Sequence, residues 1–436
     1  MRQNGAGRRA RDVFTAFTMF AAVCQAPRDA SAAASRVTCP SGEPRVVAHK
    51  LTASEGGEVV IADAVETPDG GIVVAGHFKG SLTLEDKVLR SAGDADAFIA
   101  EIDACGAIRD LRGYGDARNQ RILDVAVDTA GNRYFVGSFE GRIDFGSGAL
   151  EGGGSFLVRM DPTGRAAWMH RAYTDEYIYH LDMLATGFAP GVFVLGNLEG
   201  RAELAGMPIH SPSLQAFVAA LDSEGRPAWH TVVTRSTDDE ALAMEVDAAG
   251  HVVVAGHKVT GTNLFATRLD PRGQLLWHKR FRDTGSQNEI FHGMALTPDG
   301  DILLRAYGAF GELSAPRPER DTEIEFVARL DRQDGRVIWR RPAAKDSRRI
   351  AVQSGGRILL TGDAAETGEL TLTALSSTGE ALETRRFGGS VRVSALHVTK
   401  ADQVLLAGQF TGTLDFGAGP LPSGNFPAAF VARFFP

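Results

Sequence analysis

Apolar residues in this chain recur in short runs that are separated by turns rich in glycine, asparagine and aspartate. One phrase is repeated: an apolar run that ends in Leu-Asp or Met-Asp, a turn, a glycine and, a few residues later, a tryptophan. The tryptophans of the chain all occupy this place, at Trp168, Trp229, Trp277 and Trp339. Short β-branched and aromatic runs bounded by turn residues are typical of β-strands. The phrase therefore predicts a strand, a tight turn and a second strand, in repeated copies.

A second phrase precedes each copy of the first and predicts a β-hairpin. It reads as a strand, a turn, and a strand that ends in glycine or alanine followed by a polar residue. The turn needs a residue at positive φ, which glycine, asparagine and aspartate tolerate. The residues at that turn position are Gly70, Gly131, Gly250, Gly300, Gly356 and Asp402, with Pro190-Gly191 in the third copy.

One hairpin joined to one Leu-Asp…Trp phrase makes a unit of four strands, and the chain holds seven such units. The residues after position 44, divided among seven units, give about 56 residues per unit, slightly more than the roughly 40–50 of familiar propeller blades. No helical period is sustained past residue 45. We therefore predict an all-β fold, a seven-bladed β-propeller with four antiparallel strands per blade and the extra length in loops between second and third strands.

The two ends of the chain predict how the array closes. The last copy stops after its third strand, at Phe430–Phe434. Arg45–Leu51 precedes the first complete hairpin and has the length and pattern of an unpaired fourth strand. We expect this N-terminal strand to complete the last blade, which removes the exposed edges that an open array would present.

Residues 1–35 have the features of an export signal. Arg8, Arg9 and Arg11 precede Val13–Val23, an apolar stretch that is too short to span a bilayer. Two processing routes stay open: lipidation of Cys24, which would tether the protein to a membrane, and cleavage near Ala32–Ala34. Both routes predict an exported protein, extracellular or envelope-associated, in which residues 36–436 form a single propeller domain.

Two cysteines remain after such processing, Cys39 and Cys105. In a four-stranded blade the first-to-second and third-to-fourth turns share one face, and Cys105 lies in a third-to-fourth turn. Cys39 lies six residues before the N-terminal strand, on the same face and one blade away, and six extended residues reach about 20 Å. We predict a Cys39–Cys105 disulfide in an oxidising compartment. The alternative is two free thiols whose geometry does not allow a bond.

Composition and charge exclude some functions and select none. An apolar content of 44%, 50 glycines and a net charge of −8 in 436 residues describe a soluble globular protein. No basic excess indicates nucleic-acid binding, and we expect a monomer. The chain has no Gly-x-Ser-x-Gly elbow, phosphate loop, His-Glu-x-x-His or Cys-x-x-Cys pattern. No catalytic residue, metal site or cofactor is therefore predicted.

A ring of polar residues is the candidate ligand site. The residue after each strand-ending glycine or alanine is polar in every unit, yet its type differs from unit to unit. These residues are His77, Ser138, Asn197, His257, Tyr307, Asp363 and Gln409. Their equivalent positions predict a ring near the face where the second-to-third loops emerge. The alternative is that each residue ends its strand and bonds local backbone. His77 and His257 point in from nearly opposite sides and could share an ion only in the channel.

Calcium is the ion for which the sequence offers candidate ligands. The acidic clusters Thr174–Glu176 and Thr237–Glu240 are predicted on the same face as the polar ring. Neither has the alternating ligand spacing of a dedicated calcium loop, so a solvated surface is the competing interpretation. The irregular loop Gly311–Glu325 is a further candidate for binding, because loops on rigid scaffolds often carry it.

Two resemblances to known families support the fold. The phrases Gly137–Gly146 and Gly408–Gly417, each followed by a Phe-Val-x-x-Leu-Asp-like strand, resemble the repeats of bacterial secreted seven-bladed β-propeller (SBBP-type) proteins over residues 45–436. That resemblance implies an extracellular or envelope-associated protein. Leu330–Trp339 resembles, more distantly, quinoprotein-like repeats, in which this phrase locks neighbouring blades together. By that resemblance the four tryptophans are structural: they fill the space between blades and donate their N–H to backbone.

The functional prediction follows from these features. Quinone enzymes of the similar fold rely on adjacent cysteines and a carboxylate-rich calcium site, and this chain has no adjacent cysteines. We predict a non-enzymatic binding module that presents one loop-rich face to a protein or polysaccharide at the cell envelope. The alternative is an envelope-glycan lyase or hydrolase, or a cofactor-dependent oxidoreductase, with its site at the channel mouth. A convergent cluster of acid, base and histidine would favour the enzyme.

Overall fold

The computed structural model of the chain describes residue 39 and residues 45–174, 178–186, 191–234, 239–258, 263–282, 290–308, 311–312, 324–343, 347–363 and 369–436. Within these ranges the protein is all β, without a helix. No described segment is therefore a helix of the length and apolarity that crossing a membrane requires. The predicted export signal at residues 1–35, including Cys24, lies outside the described residues.

The strands alternate with short turns along the whole described chain. The first half contains β1 (Val46–Ala53), β2 (Glu58–Glu66), β3 (Ile72–Leu84), β4 (Lys87–Ile102), β5 (Ile108–Tyr114), β6 (Gln120–Val127), β7 (Arg133–Asp144), β8 (Ala149–Met160), β9 (Ala166–Thr174), β10 (Ile178–Ala185), β11 (Gly191–Leu204), β12 (Met207–Asp222) and β13 (Pro227–Val232). The next strands are β14 (Asp239–Val246), β15 (Val252–Lys258), β16 (Leu264–Leu269), β17 (Leu275–Arg282), β18 (Ile290–Leu296), β19 (Ile302–Gly308), β20 (Gly311–Glu312), β21 (Ile324–Leu330) and β22 (Val337–Pro342). The last are β23 (Ser347–Val352), β24 (Ile358–Asp363), β25 (Leu370–Leu375), β26 (Ala381–Arg386), β27 (Ser390–Val398), β28 (Val404–Thr411), β29 (Thr413–Leu414), β30 (Leu421–Pro422) and β31 (Ala428–Phe434).

Antiparallel pairing arranges these strands in successive groups of four. From inner to outer strand the groups are β2-β3-β4-β5 (group 1), β6-β7-β8-β9 (group 2), β10-β11-β12-β13 (group 3), β14-β15-β16-β17 (group 4), β18-β19-β21-β22 (group 5), β23-β24-β25-β26 (group 6) and β27-β28-β31-β1 (group 7). The first strand of each group is called its inner strand. Each inner strand contacts the inner strand of the next group, and β27 contacts β2.

The N-terminal strand lies beside the last strand of the chain. β1 pairs with β31 from Val46 opposite Phe434 to Leu51 opposite Ala429. Its end continues to Ala53, which pairs with Leu82 of β3. The sequence does not predict this second pairing, because β3 extends beyond the length of a simple blade strand. Nearby, a disulfide joins Cys39 to Cys105, with their Cα atoms 5.4 Å apart.

The turns have the local chemistry that the repeats predict. The predicted turn residues Gly70, Gly131, Gly250, Gly300, Gly356 and Asp402 have φ between 58° and 86°. In the Leu-Asp phrase the aspartate begins the turn by accepting backbone hydrogen bonds from residues two and four positions later. Asp161 Oδ1, for example, accepts from the N–H groups of Thr163 (2.9 Å) and Arg165 (3.1 Å). This capping explains why aspartate recurs at the end of an apolar strand.

Each tryptophan packs on a glycine in the turn of the following group. The pairs are Trp168 with Gly225, Trp229 with Gly273, Trp277 with Gly335 and Trp339 with Gly379. A Cβ atom on any of these glycines would lie 2.4–2.9 Å from a ring carbon of its tryptophan, so only glycine fits. The indole N–H of Trp168 donates to Ser223 O (2.9 Å) and that of Trp277 to Arg332 O (3.0 Å). The glycine and the tryptophan of the repeat are thus the two sides of one contact between neighbouring groups.

The apolar core lies between adjacent groups. One cluster, for example, joins Leu195 and Val218 of group 3 to Val254 and Phe265 of group 4, and all four side chains are buried. Another joins Val74 of group 1 to strands of group 7. Each sheet is therefore stabilised by apolar burial against its neighbours, as in other repeat folds.

Groups 1–3 differ from the sequence prediction in their second-to-third connections. The extra length was expected in loops, but in these groups it extends the strands themselves. β3, β4, β7, β8, β11 and β12 are 12 to 16 residues long and stay paired to their tips. The tips of two of these hairpins turn at Glu85 and Ala205, which have positive φ. Alternating apolar and polar residues continue through these extensions, so the strand pattern persists where a loop was predicted.

Candidate functional site in the channel

The inner strands share a β-bulge at one register position. The residue that follows the bulge in each group is, from group 1 to group 7, Asp63, Asp124, Met183, Ala243, Gly293, Arg349 and Ala395. We call these residues the bulge layer. A bulge bends its strand and re-aims the side chains next to it. The charged members of this layer therefore occupy positions where the alternation of a regular strand predicts an apolar, packed side chain.

A cavity of about 410 Å³ lies between the inner strands, and we call it the channel cavity. The whole bulge layer lines it, together with residues farther along the inner strands that include Glu245 and His397. Ala243, Gly293 and Ala395 contribute no bulk beyond a methyl group. Three groups have a small residue in the bulge layer, whereas the other four have Asp, Met or Arg there. The small residues leave the space that forms the cavity.

Asp63 and His397 form an ion pair in the channel cavity, with Asp63 Oδ1 2.8 Å from His397 Nε2. Burial opposes ionisation of Asp63, but the charge and hydrogen bond of His397 outweigh it and lower the Asp63 pKa. Burial also disfavours protonated His397, yet the Asp63 charge and hydrogen bond, with the charge of Glu245, raise the His397 pKa. The histidine side chain is 44% exposed and the aspartate 12%. The imidazole therefore faces the cavity.

Asp124 lies beside this pair and lines the same cavity. Its Oδ2 accepts a hydrogen bond from the Leu184 N–H (2.7 Å) and its Oδ1 from the Val125 N–H (2.9 Å). Burial and then the charge of Asp63 raise the Asp124 pKa well above its usual value. The interaction between the two carboxyl groups lowers the pKa of Asp63 and raises that of Asp124. This network links inner strands of groups 7, 1, 2 and 3.

Glu245 and Arg349 line the same cavity, where the charge of each acts on His397. Burial raises the Glu245 pKa to about 7, so its carboxyl group titrates near neutral pH. Neither side chain makes a hydrogen bond or ion pair with the described residues. Carboxyl groups whose pKa values are pushed apart in one cavity are typical of sites that bind ligands or transfer protons. The channel cavity is therefore the candidate functional site.

The polar ring predicted from the sequence lies elsewhere. None of the six ring residues whose side chains the structure describes lines the channel cavity. Asn197 donates to Ala241 O (3.1 Å) and accepts from Ala241 N–H (2.9 Å), which lies on the inner strand of the next group. His257 Nδ1 accepts from the Phe291 N–H (3.1 Å), and Gln409 donates to Val59 O (2.8 Å), again on the next inner strand. These three residues bond backbone, as the alternative interpretation expected, but in the neighbouring group and not locally.

The remaining ring members show no common arrangement. His77 Nδ1 is buried without a hydrogen-bond partner in the described chain, and burial, with the nearby Arg121, lowers the His77 pKa to about 4. Ser138 of β7 pairs with Arg121 of β6, and Tyr307 of β19 pairs with Ile290 of β18. Asp363 ends β24, and its side chain is not described. Ligand binding by the polar ring stays a prediction.

The calcium candidates fall largely outside the described residues. These undescribed parts are residues 175–176 of the first acidic cluster, residues 237–238 of the second and residues 313–323 of the irregular loop. Asp239 of the second cluster is buried and paired with Arg280. Within the described ranges, no group of three or more His, Cys, Asp or Glu residues is placed to hold a metal ion. Calcium binding therefore stays a prediction.

No protein-family model matches the chain, and no curated protein is similar to it in sequence. Among solved structures it is similar to a streptogramin B lyase (TM-score 0.50, 9% identity, covering 89% of this chain and 97% of that chain). It is similar to virginiamycin B lyase from Staphylococcus aureus to the same degree (TM-score 0.50, 8% identity, covering 89% and 99%). The chain has a β-propeller fold. A weaker similarity to BamB from Moraxella catarrhalis has a TM-score of 0.37 at 15% identity, covering 81% and 96%. At these identities the propeller fold is shared, and activity does not transfer with it.

Proposed function

We propose that the protein is an exported, non-enzymatic binding module: a closed seven-bladed propeller whose ligand lies in the channel cavity. The seven groups of four strands support the blade count. Closure is supported by the pairing of β1 with β31 and by the contact between β27 and β2. The position of the cavity supports the ligand site, because every inner strand contributes to its wall.

Export is supported by two independent features of the chain. Residues 1–35 carry the charged and apolar segments of a signal, with Cys24 or a small-residue stretch as the processing site. The disulfide between Cys39 and Cys105 is typical of proteins in oxidising compartments. In the lipoprotein route the channel cavity would be presented at the cell envelope, where a protein or polysaccharide partner remains a prediction.

The observation that carries the binding proposal is that Glu245 and Arg349 line one cavity and make no hydrogen bond or ion pair with the described residues. Arg349 is exposed to solvent, whereas Glu245 is partly buried, and a carboxyl group that loses hydration without gaining a hydrogen bond destabilises a fold. A ligand with complementary groups would supply those partners, so such positions are retained where a ligand binds.

The proposal is tested by filling the channel cavity. In Ala243→Phe the new ring would occupy the space that the small residues of the bulge layer leave. Wild type and this variant would be screened for thermal stabilisation with small metabolites, calcium and envelope glycans. We expect ligands that stabilise the wild type and not the variant. Equal shifts in both proteins, in a variant that folds normally, would place binding outside the channel cavity.

A second candidate is an enzyme that uses the same cavity for acid–base chemistry on envelope glycans, as a lyase or hydrolase. The specific observation in its favour is the separation of pKa values: Asp63 lowered, Asp124 raised and Glu245 at about 7, with His397 beside them. In this candidate His397 transfers a proton and Asp63 orients its ring. Glycan cleavage that is lost in His397→Asn and retained in Arg348→Gln would favour it over the binding module.

A further inference from the structure

The charged side chains of the channel cavity separate into partnered and unpartnered groups. The charged or titratable residues that line it are Asp63, Glu66, Asp124, Glu245, His292, Arg349 and His397. Five have partners in the protein: Asp63 with His397 (2.8 Å), Glu66 with the Lys400 N–H (2.7 Å), Asp124 with the Leu184 N–H (2.7 Å) and His292 with Glu325 (3.5 Å). The remaining two, Glu245 and Arg349, act on His397 through their charges but make no hydrogen bond or ion pair with the described residues.

These two side chains carry opposite charge and do not neutralise each other. Glu245 lies on β14 of group 4 and Arg349 on β23 of group 6, with the inner strand of group 5 between them. No ion pair joins them in the described structure, although both face the same cavity. The cavity wall therefore offers one carboxyl group and one guanidinium that are not paired with each other.

We infer that the channel cavity takes a small zwitterionic molecule, with its ammonium group on Glu245 and its carboxylate on Arg349. This inference rests on the proposed function, and it adds the ligand class. A guanidinium binds a carboxylate through two parallel hydrogen bonds, and a carboxylate accepts from an ammonium group. A cavity of about 410 Å³ has room for a molecule of amino-acid size together with water, within the usual range for small-molecule sites.

Proton release on binding supplies a second signature of the same arrangement. Because burial raises the Glu245 pKa to about 7, part of the population is protonated at neutral pH. A bound ammonium group favours the ionised carboxylate. Binding should therefore release a proton from Glu245. A neutral ligand, or one held only by Arg349, would release none from this residue.

The experiment is a calorimetric titration of the exported protein with ω-amino acids of increasing length: glycine, β-alanine, 4-aminobutyrate and 6-aminohexanoate. The chain length that binds best measures the separation between the two side chains. Butylamine and butyrate are the matched half-ligands, each with one of the two charges. Titrations in buffers of different ionisation enthalpy detect the released proton. Glu245→Gln and Arg349→Gln are the test variants, and Glu240→Gln and Arg348→Gln, on the same two strands but outside the cavity lining, are their controls.

We expect at least one ω-amino acid to bind at least tenfold more tightly than either half-ligand. Each test variant should weaken that binding at least tenfold, the controls should not, and proton release should vanish in Glu245→Gln. If Ala243→Phe abolishes binding but neither Glu245→Gln nor Arg349→Gln weakens it, the zwitterion inference is wrong and the proposal of a ligand site in the channel cavity is supported. If no ω-amino acid binds, the inference is wrong. If binding survives Ala243→Phe, the channel site and the inference are both wrong.

Discussion

Removal of the Trp277 ring tests whether the repeated tryptophans hold neighbouring groups together. The side chain is 9% exposed, packs on Gly335 and donates to Arg332 O at 3.0 Å. A buried tryptophan removes roughly 150–250 Å² from water, which at about 25 cal/mol per Å² corresponds to about 4–6 kcal/mol. The alanine methyl group and burial in the denatured state retain part of this. We therefore expect Trp277→Ala to lower the free energy of unfolding by about 3–5 kcal/mol.

The assay is chemical denaturation with the disulfide intact, and Leu276→Ala is the matched control. Leu276 precedes Trp277 on β17 but is 51% exposed, so its truncation should change stability by less than about 0.5 kcal/mol. Trp277→Phe should cost less than Trp277→Ala, because a buried aromatic ring remains although the N–H donor and part of the packing are lost. A loss below about 1 kcal/mol for Trp277→Ala would refute the packing role and favour ligand stacking.

The remaining predictions concern the disulfide, the channel cavity and the polar ring. Cys39→Ser removes the bond that closes a loop of 66 residues. The chain-entropy relation predicts that the free energy of unfolding, measured in denaturant, falls by about 4 kcal/mol. Wild-type protein in reductant should be as unstable as the variant. Glu245→Gln should be more stable than wild type above pH 7 but not below pH 4.5. The Glu245 pKa is raised to about 7 in the folded state, so ionisation of this group lowers the stability of the wild-type protein as the pH rises through this range. A stability difference between the two proteins that stays constant from pH 4.5 to pH 7 would contradict this prediction. Asn197→Ala leaves the buried N–H and C=O of Ala241 without their partner and should lower the free energy of unfolding by about 2–3 kcal/mol. Ser138→Ala loses no side-chain hydrogen bond to the described residues and should change it by less than about 0.5 kcal/mol.

The strand and turn pattern was predictable from sequence because both signals are local. A residue at positive φ marks each hairpin turn, as Gly70 and Asp402 do, and aspartate caps the Leu-Asp turns. The strand at Arg45–Leu51 forms as Val46–Ala53. Local signals do not predict how strands of different groups pair with each other. The pairing of Ala53 with Leu82 depends on how far the β3–β4 hairpin extends, and that depends on contacts between groups.

The channel site was missed because its residues come from separate repeats. Asp63, Asp124 and Arg349 occupy the same bulge position, yet the chain brings that position together only when the inner strands meet. A signal was present: a charged residue stands inside an apolar inner strand, as Asp63 does in Val59–Val65 and His397 does in Val393–Val398. Aligning the units on their bulges, and not on their strand ends, would have identified this layer instead of the polar ring.

The most direct test of the account is a crystal structure of the protein with the ω-amino acid that binds best in the titration. The account predicts density in the channel cavity, with the ammonium group within hydrogen-bond distance of the Glu245 carboxylate and the carboxylate on the Arg349 guanidinium. A ligand bound on the outer surface, or a channel cavity that holds only water at saturating ligand, would contradict it.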